Sequence, residues 1–242
     1  MKLKILFLII ITTLFSCKKE SDDLKNCVIS EIKDQGLDLL ISKLSGDKLY
    51  NIKSINDEYF TTILPKYYNG KLVEIGEVSE FQYDKKNRIV VLGDMSIQYD
   101  ENDNIIYIAQ RNDKYEQYFK FYYNDKGNVI KVFSNDQFYG FDGKEIVVQE
   151  AKFDSLNNPY YQLPTEIKIF LFREHFAREP FSLYPILLFS KNNFTSIINL
   201  TEKEEFNYTQ KVSKIEEERP IEIKRARGKS IEEVINISYN CE

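Results

Sequence analysis

Hydrophobic and polar residues alternate over short stretches through most of this 242-residue chain. In "YFKFYYND", Phe119, Phe121 and Tyr123 alternate with Lys120 and Tyr122. That period of two is what a β-strand imposes, because successive side chains point to opposite faces. Asn, Asp and Gly follow, and they supply the positive-φ positions of a tight turn. The same order of aromatic-rich strand, polar turn and short aliphatic strand recurs in "FQYDKKNRIVVL" (81–92), "IQYDENDNIIYI" (97–108) and "FYYNDKGNVIKV" (121–132). Fainter copies are "LSGDKLYNI" (44–52), "YYNGKLVEI" (67–75) and "YGFDGKEIVV" (139–148). The turn-exit residues Lys48, Lys71, Arg88, Asn104, Asn128 and Lys144 recur at two or three units of about eight residues, one strand plus its turn each. Regular short strands with turn signals predict an all-β antiparallel meander. One hairpin alone is marginal in water, so neighbours must pair. The expected fold is a single antiparallel, twisted multi-hairpin sheet, coiled enough to bury one face.

Between residues 157 and 193 the pattern breaks, and Pro159, Pro164, Pro180 and Pro185 punctuate it. "TEIKIFLFREHF" predicts a helix with Thr165 as cap and Ile167, Phe170 and Leu171 on one face, although it alternates enough for a strand. The expectation is a short helix plus loops near 160–190, packed across an open end of the sheet. "EEFNYTQKVSKI", "RPIEIKRA" and "EEVINISY" then predict closing strands, with Arg227, Gly228 and Lys229 in the last turn. No linker rich in Gly, Pro or Ser divides residues 27–242, which are expected to form a single domain.

Composition supports strands: 17 Tyr, 17 Phe, no Trp and only 9 Gly. The N-terminus is different. Lys2 and Lys4 precede an apolar run, from about Ile5 to Phe15, that is too short for the ~20 residues of a bilayer-spanning helix. Leu14-Phe15-Ser16-Cys17 resembles a bacterial lipobox, which implies a signal peptide at 1–16 and acyl chains on Cys17. Several chains at ~0.8 kcal/mol per buried methylene make a stable anchor. The alternative is an ordinary signal peptide with an incidental cysteine. Residues 17–26 carry, after Cys17, the charged run "KKESDD" (18–23), which cannot bury enough surface to order itself and is expected to be a flexible tether. It also resembles the acidic export signal of surface lipoproteins in Bacteroidetes-type bacteria. Localisation is expected at the outer membrane, on the cell surface or the periplasmic face.

With Cys17 on lipid, Cys27 and Cys241 remain, one at each end of the folded region. In an oxidising envelope they are expected to form a disulfide joining the first strand to the last; two free thiols are the alternative. The formal charge of −5 becomes −7 once Lys2 and Lys4 are removed. An acidic chain without a dense basic block is not expected to bind nucleic acid.

The hairpins, on the strings Tyr83-Asp84, Tyr99-Asp100 and Tyr123-Asn124, resemble the YD repeats of bacterial shell and wall-associated proteins. They are more similar still to a family of Bacteroidetes-type lipoproteins with a domain of unknown function. The likeness covers roughly residues 39–241, with "FDSLNNPYYQLP" and "LFSKNNFTSI" as the interruption between hairpin blocks. Asn124 departs from the motif's Asp. The resemblance implies a fold and an address, and it carries no established activity.

Candidate chemistry is sparse. His175, in "REHFAREP", is the one histidine, and a charged helix surface accounts for it better than a catalytic triad does. Zinc needs several His or Cys ligands. "DENDN" lacks the glycine and acidic residue that an EF-hand requires and is expected to be a hairpin turn. Hence no catalytic residue, metal site or cofactor is expected. Asp154-Ser155-Leu156 fits a loose O-glycosylation pattern at Ser155, with a plain turn as the alternative. Strand aromatics could stack on sugars but are more often core or cross-strand pairs. Lys224, Arg225, Arg227 and Lys229 form a basic cluster that is expected to be a solvated turn or an anionic contact patch. The expected function is a monomeric, non-catalytic, membrane-anchored binding or scaffolding module for a glycan or protein partner. Alternatives are an immunity-type lipoprotein that neutralises a toxin, and a hydrolase with an unrecognised carboxylate pair.

Overall fold

The computed structural model of the chain describes residues 27–34, 37–44, 47–53, 65–111, 116–135, 144–176, 184–200, 205–216, 219–227 and 231–241. Cys17, the signal region 1–16 and the tether 17–26 lie outside these residues, as does the faint repeat at 139–143. Sixteen strands are described: β1 Cys27–Asp34, β2 Leu37–Leu44, β3 Asp47–Lys53, β4 Lys66–Tyr68, β5 Lys71–Glu74, β6 Phe81–Tyr83, β7 Ile89–Leu92 and β8 Met95–Tyr99. Then follow β9 Ile105–Arg111, β10 Glu116–Tyr123, β11 Val129–Ser134, β12 Ile146–Asn157, β13 Asn192–Leu200, β14 Glu205–Glu216, β15 Arg219–Arg227 and β16 Ile231–Cys241. Between β12 and β13 lie a 3-10 turn, Pro159–Gln162, and two helices, α1 Thr165–Phe176 and α2 Tyr184–Phe189.

Fourteen strands make one antiparallel sheet in the order β3-β2-β1-β16-β15-β14-β13-β12-β11-β10-β9-β8-β7-β6. The all-β meander is therefore the observed fold. Its last strand inserts beside its first, with Cys27 paired to Cys241, Val28 to Asn240 and Ile29 to Tyr239. A separate hairpin, β4–β5, turns through Asn69 and Gly70, at φ 50° and 73°. Two successive positive φ values are the mark of the tight turn whose twist matches that of its strands.

Three turns repeat one design. The side-chain oxygen Oδ1 of Asp84 accepts from the backbone N–H groups of Lys86 and Arg88, both at 2.9 Å. Asp100 does the same for Asn102 and Asn104, and Asn124 for Lys126 and Asn128. The fourth position of each turn has positive φ: Asn87 65°, Asp103 64° and Gly127 78°. The turn thus uses a carbonyl-type acceptor, which Asn supplies as well as Asp, so the departure at Asn124 costs the motif nothing. The tyrosine before each turn has its own task. Tyr83 donates its hydroxyl to the Leu72 carbonyl, Tyr99 to Ile89 and Tyr123 to Ile105, each at 2.8 Å. Each hairpin is thereby bonded to the aliphatic strand of the hairpin before it.

The sheet curls around the helical segment. The 3-10 turn packs against β1, and Arg173 of α1 pairs with Asp94, in the turn after β7, at 3.4 Å. From β1 to β8 is nine strand steps. A flat sheet would separate them by ~43 Å at ~4.8 Å per step. Twelve residues of α-helix span only ~18 Å. Residues 167–172 are buried without interruption, as are 185–190. Helical stretches buried all round lie within a core. Phe172 meets Phe119 and Phe121 edge-on, with centroids 5.6 and 6.1 Å apart, and Phe189 lies 5.3 Å from Phe121. The helices consequently sit against the inner face of the sheet, where the sequence suggested a plug across an open end. Because the carbonyl of Pro164 accepts from Lys168 N–H at 3.0 Å, Thr165 is the first helical residue instead of the cap.

Two further expectations change. "FDSLN" completes β12 and "NNFTSI" opens β13, so the interruption shortens to residues 158–191. Arg225 is 5% exposed and shares the inner face of β15 with Ile223. Its Nε donates to Gln210 Oε1 at 3.3 Å, and Glu233 lies 3.8 Å from its Nη1. Strand alternation splits the basic cluster: Lys224 faces solvent and Arg225 faces the core.

Candidate functional site: a cleft at the hairpin turns

The turns of the first two YD hairpins, the β4–β5 hairpin and the start of α1 converge on a cleft of about 310 Å³. Tyr67, Tyr83, Tyr99, Asn87, Arg88, Asp103, Thr165 and Glu166 line it, with Leu72 and Ile89 at its apolar side. Alternation along each strand delivers the tyrosines to this side, and the turn design delivers Arg88 and Asp103.

The cation that lines the cleft, Arg88, is matched by acids. Arg88 donates from Nε to Asp84 Oδ2 at 2.7 Å and reaches Asp103 with Nη1 at 2.6 Å. Its guanidinium lies 4.5 Å from the centroid of the Tyr99 ring, a stacking contact that arginine favours. Lys86 Nζ adds a second cation to Asp103 at 3.1 Å. The Lys86 hydrogen bond, followed by that of Arg88, holds the Asp103 carboxyl below the usual carboxylate range. Backbone N–H donation from Arg88 does the same for Asp84. The Arg88 guanidinium is held charged by Asp84 and then by Asp103. Glu166 accepts the Tyr67 hydroxyl at 3.1 Å. Burial raises the Tyr83 and Tyr99 hydroxyls above their ordinary value, and both donate to carbonyls. What remains for a ligand is ring faces, the Asn87 amide, the Thr165 hydroxyl and carboxylate oxygens.

Deeper in α1, the Lys168 amine is buried beside Tyr161. It donates to the Tyr161 carbonyl at 3.3 Å and stands 4.4 Å from that ring's centroid. Desolvation lowers it to about 8.

On the outer face, Tyr107 and Tyr118 pack at 5.4 Å and Tyr122 and Phe133 at 4.9 Å between centroids. The Tyr107 hydroxyl donates to Glu116 and that of Tyr118 to Glu145. These are the cross-strand pairs expected of strand aromatics.

The residues singled out from sequence are scattered. Cys27 and Cys241 face each other in the β1–β16 register. Ser155 is exposed in an irregular part of β12, where Asp154 Oδ1 accepts from Leu156 N–H at 2.8 Å. His175 falls in the last turn of α1, and its side chain lies outside the described residues. "DENDN" is a hairpin turn, and no group of three or more metal-ligating side chains occurs among the described residues. Among those residues no helix is long and apolar enough to cross a membrane. Sequence reasoning named Tyr83, Tyr99 and Arg88 as motif and turn residues but missed their meeting with Glu166. Only the curl of the sheet around α1 joins them.

No protein-family model matches the chain, and no curated protein matches it. Among solved structures, a porin-like protein from Bacteroides uniformis ATCC 8492 is similar over 84% of this chain and 78% of its own, with 12% identity and a TM-score of 0.42.

Proposed function

We propose that the chain is an outer-membrane lipoprotein, anchored through acylated Cys17, whose β-domain is a non-catalytic binding module for a glycan. The observation that carries the binding half is the cleft: three tyrosines around amide, hydroxyl and carboxylate groups, with its cations already matched by acids. Ligand sites combine apolar or aromatic walls with a few placed polar groups, and this cleft has that make-up. A neutral polyhydroxylated ligand fits such a lining. A nucleic acid would find no excess of positive charge there. Asp103 is committed to two cations and held ionised, which makes it a poor general acid. Anchor and tether rest on the "LFSCKKESDD" stretch.

Two measurements test the two halves. Labelled palmitate is expected on the wild-type protein and absent from Cys17→Ala; label retained by the variant overturns the anchor. Glu166→Gln and Tyr99→Ala are expected to lower affinity for whichever neutral glycan an array identifies, without loss of fold by circular dichroism. An array on which only a protein effector binds, with both variants unaffected, overturns the glycan reading.

A further inference from the structure

The cleft has a neighbour. On the other side of the β4–β5 hairpin lies a second depression of about 360 Å³, lined by Tyr68, Asn69, Lys71, Val73, Ser79 and Phe81. The two share Leu72 and Tyr83 as common wall. Strand alternation explains the arrangement: Tyr67 points into the first compartment, and Tyr68, the next residue, into the second. Tyr68 is 70% exposed and Val73 is 41% exposed, both unusual for such residues on a three- or four-residue strand. Lys71 Nζ lies 4.9 Å from the centroid of the Tyr83 ring, so the cation nearest the shared wall is already placed over an aromatic face.

Between the compartments stand the shared Leu72 and Tyr83 and, at the rim, the hairpin tip. Asn69 lines one side and Gly70 the other. A Cβ on Gly70 would meet no atom within 4 Å, so no other part of the chain packs over the tip at this position. The positive φ of 73° at this position keeps a bulky residue out of the crossing.

We infer that the two compartments form one saddle-shaped site for a chain-like neutral oligosaccharide, with one sugar unit on each side of the Asn69–Gly70 tip. The inference rests on the glycan reading above and names the ligand's length. Tyr67, Tyr83 and Tyr99 hold the first unit. Tyr68 and Val73 cover the apolar face of the second, and the Asn69 amide offers polar contacts at the crossing. Each compartment alone is at the small end of ligand pockets, and the two together are in the middle of that range.

The test is a size-graded set of neutral oligosaccharides, from one to six units, drawn from α- and β-glucans, xylans, mannans and chitin oligomers. Binding is measured by calorimetry on the tether-free domain carrying both cysteines. Affinity is expected to rise by roughly tenfold or more between one and two units and then level off, each tenfold being ~1.4 kcal/mol. Tyr68→Ala is expected to remove that rise and leave the single-unit affinity unchanged. Tyr68 is exposed, so its truncation is expected to leave the fold intact, and circular dichroism checks it. A single unit that binds as tightly as a dimer, or a Tyr68→Ala variant with the full length dependence, overturns the saddle while leaving the glycan reading intact. Absence of binding to every member overturns the glycan reading and the saddle together.

Discussion

Replacing Lys168 by methionine is expected to stabilise this protein at neutral pH. Lys168 is 8% exposed, in the stretch 167–172 of α1 that is buried without interruption. Its amine has one weak carbonyl contact at 3.3 Å and a ring face for company. Burial lowers it from 10.5 to about 8, with Glu166 only partly offsetting this. A difference of that size corresponds to roughly 3 kcal/mol of cost for charging the folded state at pH 7, at ~1.36 kcal/mol per pH unit. Methionine keeps the length of the side chain and its fit to the gap. It forfeits the hydrogen bond and the ring contact, together worth about 1–2 kcal/mol. The net gain at pH 7 is therefore about 1–2 kcal/mol. The sign with pH follows from linkage. Between about 8 and 10.5 the unfolded state binds more protons at this position than the folded state, so wild-type stability rises with pH there. By pH 9.5 the cost has fallen by about 2 kcal/mol and the advantage of methionine is near zero. Urea unfolding followed by circular dichroism at pH 7 and 9.5 measures both. A variant destabilised by more than about 1 kcal/mol, equally at the two pH values, would refute the enclosed-helix account, because it would mean a well-solvated or well-paired amine.

Other outcomes follow from the repeat and from the chain ends. Tyr123→Phe leaves the Ile105 carbonyl without its hydroxyl donor and is expected to cost about 1–2 kcal/mol in urea, more than Tyr83→Phe, since Tyr123 is the more deeply buried. Asn124→Asp preserves the acceptor for Lys126 and Asn128 N–H and is expected within about 0.5 kcal/mol of wild type, whereas Asn124→Ala strands both donors and is expected to cost about 1–2 kcal/mol. Cys27 and Cys241 stand opposite each other in an antiparallel pair, where Cα separations of ~4.5–5.5 Å fall within the disulfide range. Non-reducing mass mapping of protein made in an oxidising compartment is expected to recover the linked peptides, and recovery of both cysteines alkylated refutes the bridge.

The hairpins were legible because their determinants are local. Alternation in "YFKFYYND" and the Asx residue four positions before each turn exit are properties of a dozen consecutive residues. The hydroxyl ladder of Tyr83, Tyr99 and Tyr123 was not, because each bond reaches back into another hairpin. Helix α1 was ambiguous for a physical reason. The middle of α1 is buried on every side, so "IFLF" at 169–172 carries no one-face pattern. Arg225 was misplaced through its charge, although it shares strand parity with Ile223; the buried partner Gln210 comes from the adjacent strand β14. The cleft needed the whole topology, since Glu166 meets Tyr67 only when α1 is folded against the β4–β5 hairpin.

The central claim, that the turn-end cleft is where a glycan binds, is tested most directly by chemical-shift mapping. A neutral oligosaccharide of three units, chosen by its affinity, is titrated into labelled domain. Saturable shifts are predicted at the Asn87 side-chain amide, at the Thr165 and Glu166 backbone amides and on the rings of Tyr67, Tyr83 and Tyr99. Saturable shifts confined instead to the outer-face rings of Tyr107, Tyr118 and Tyr122 would contradict it.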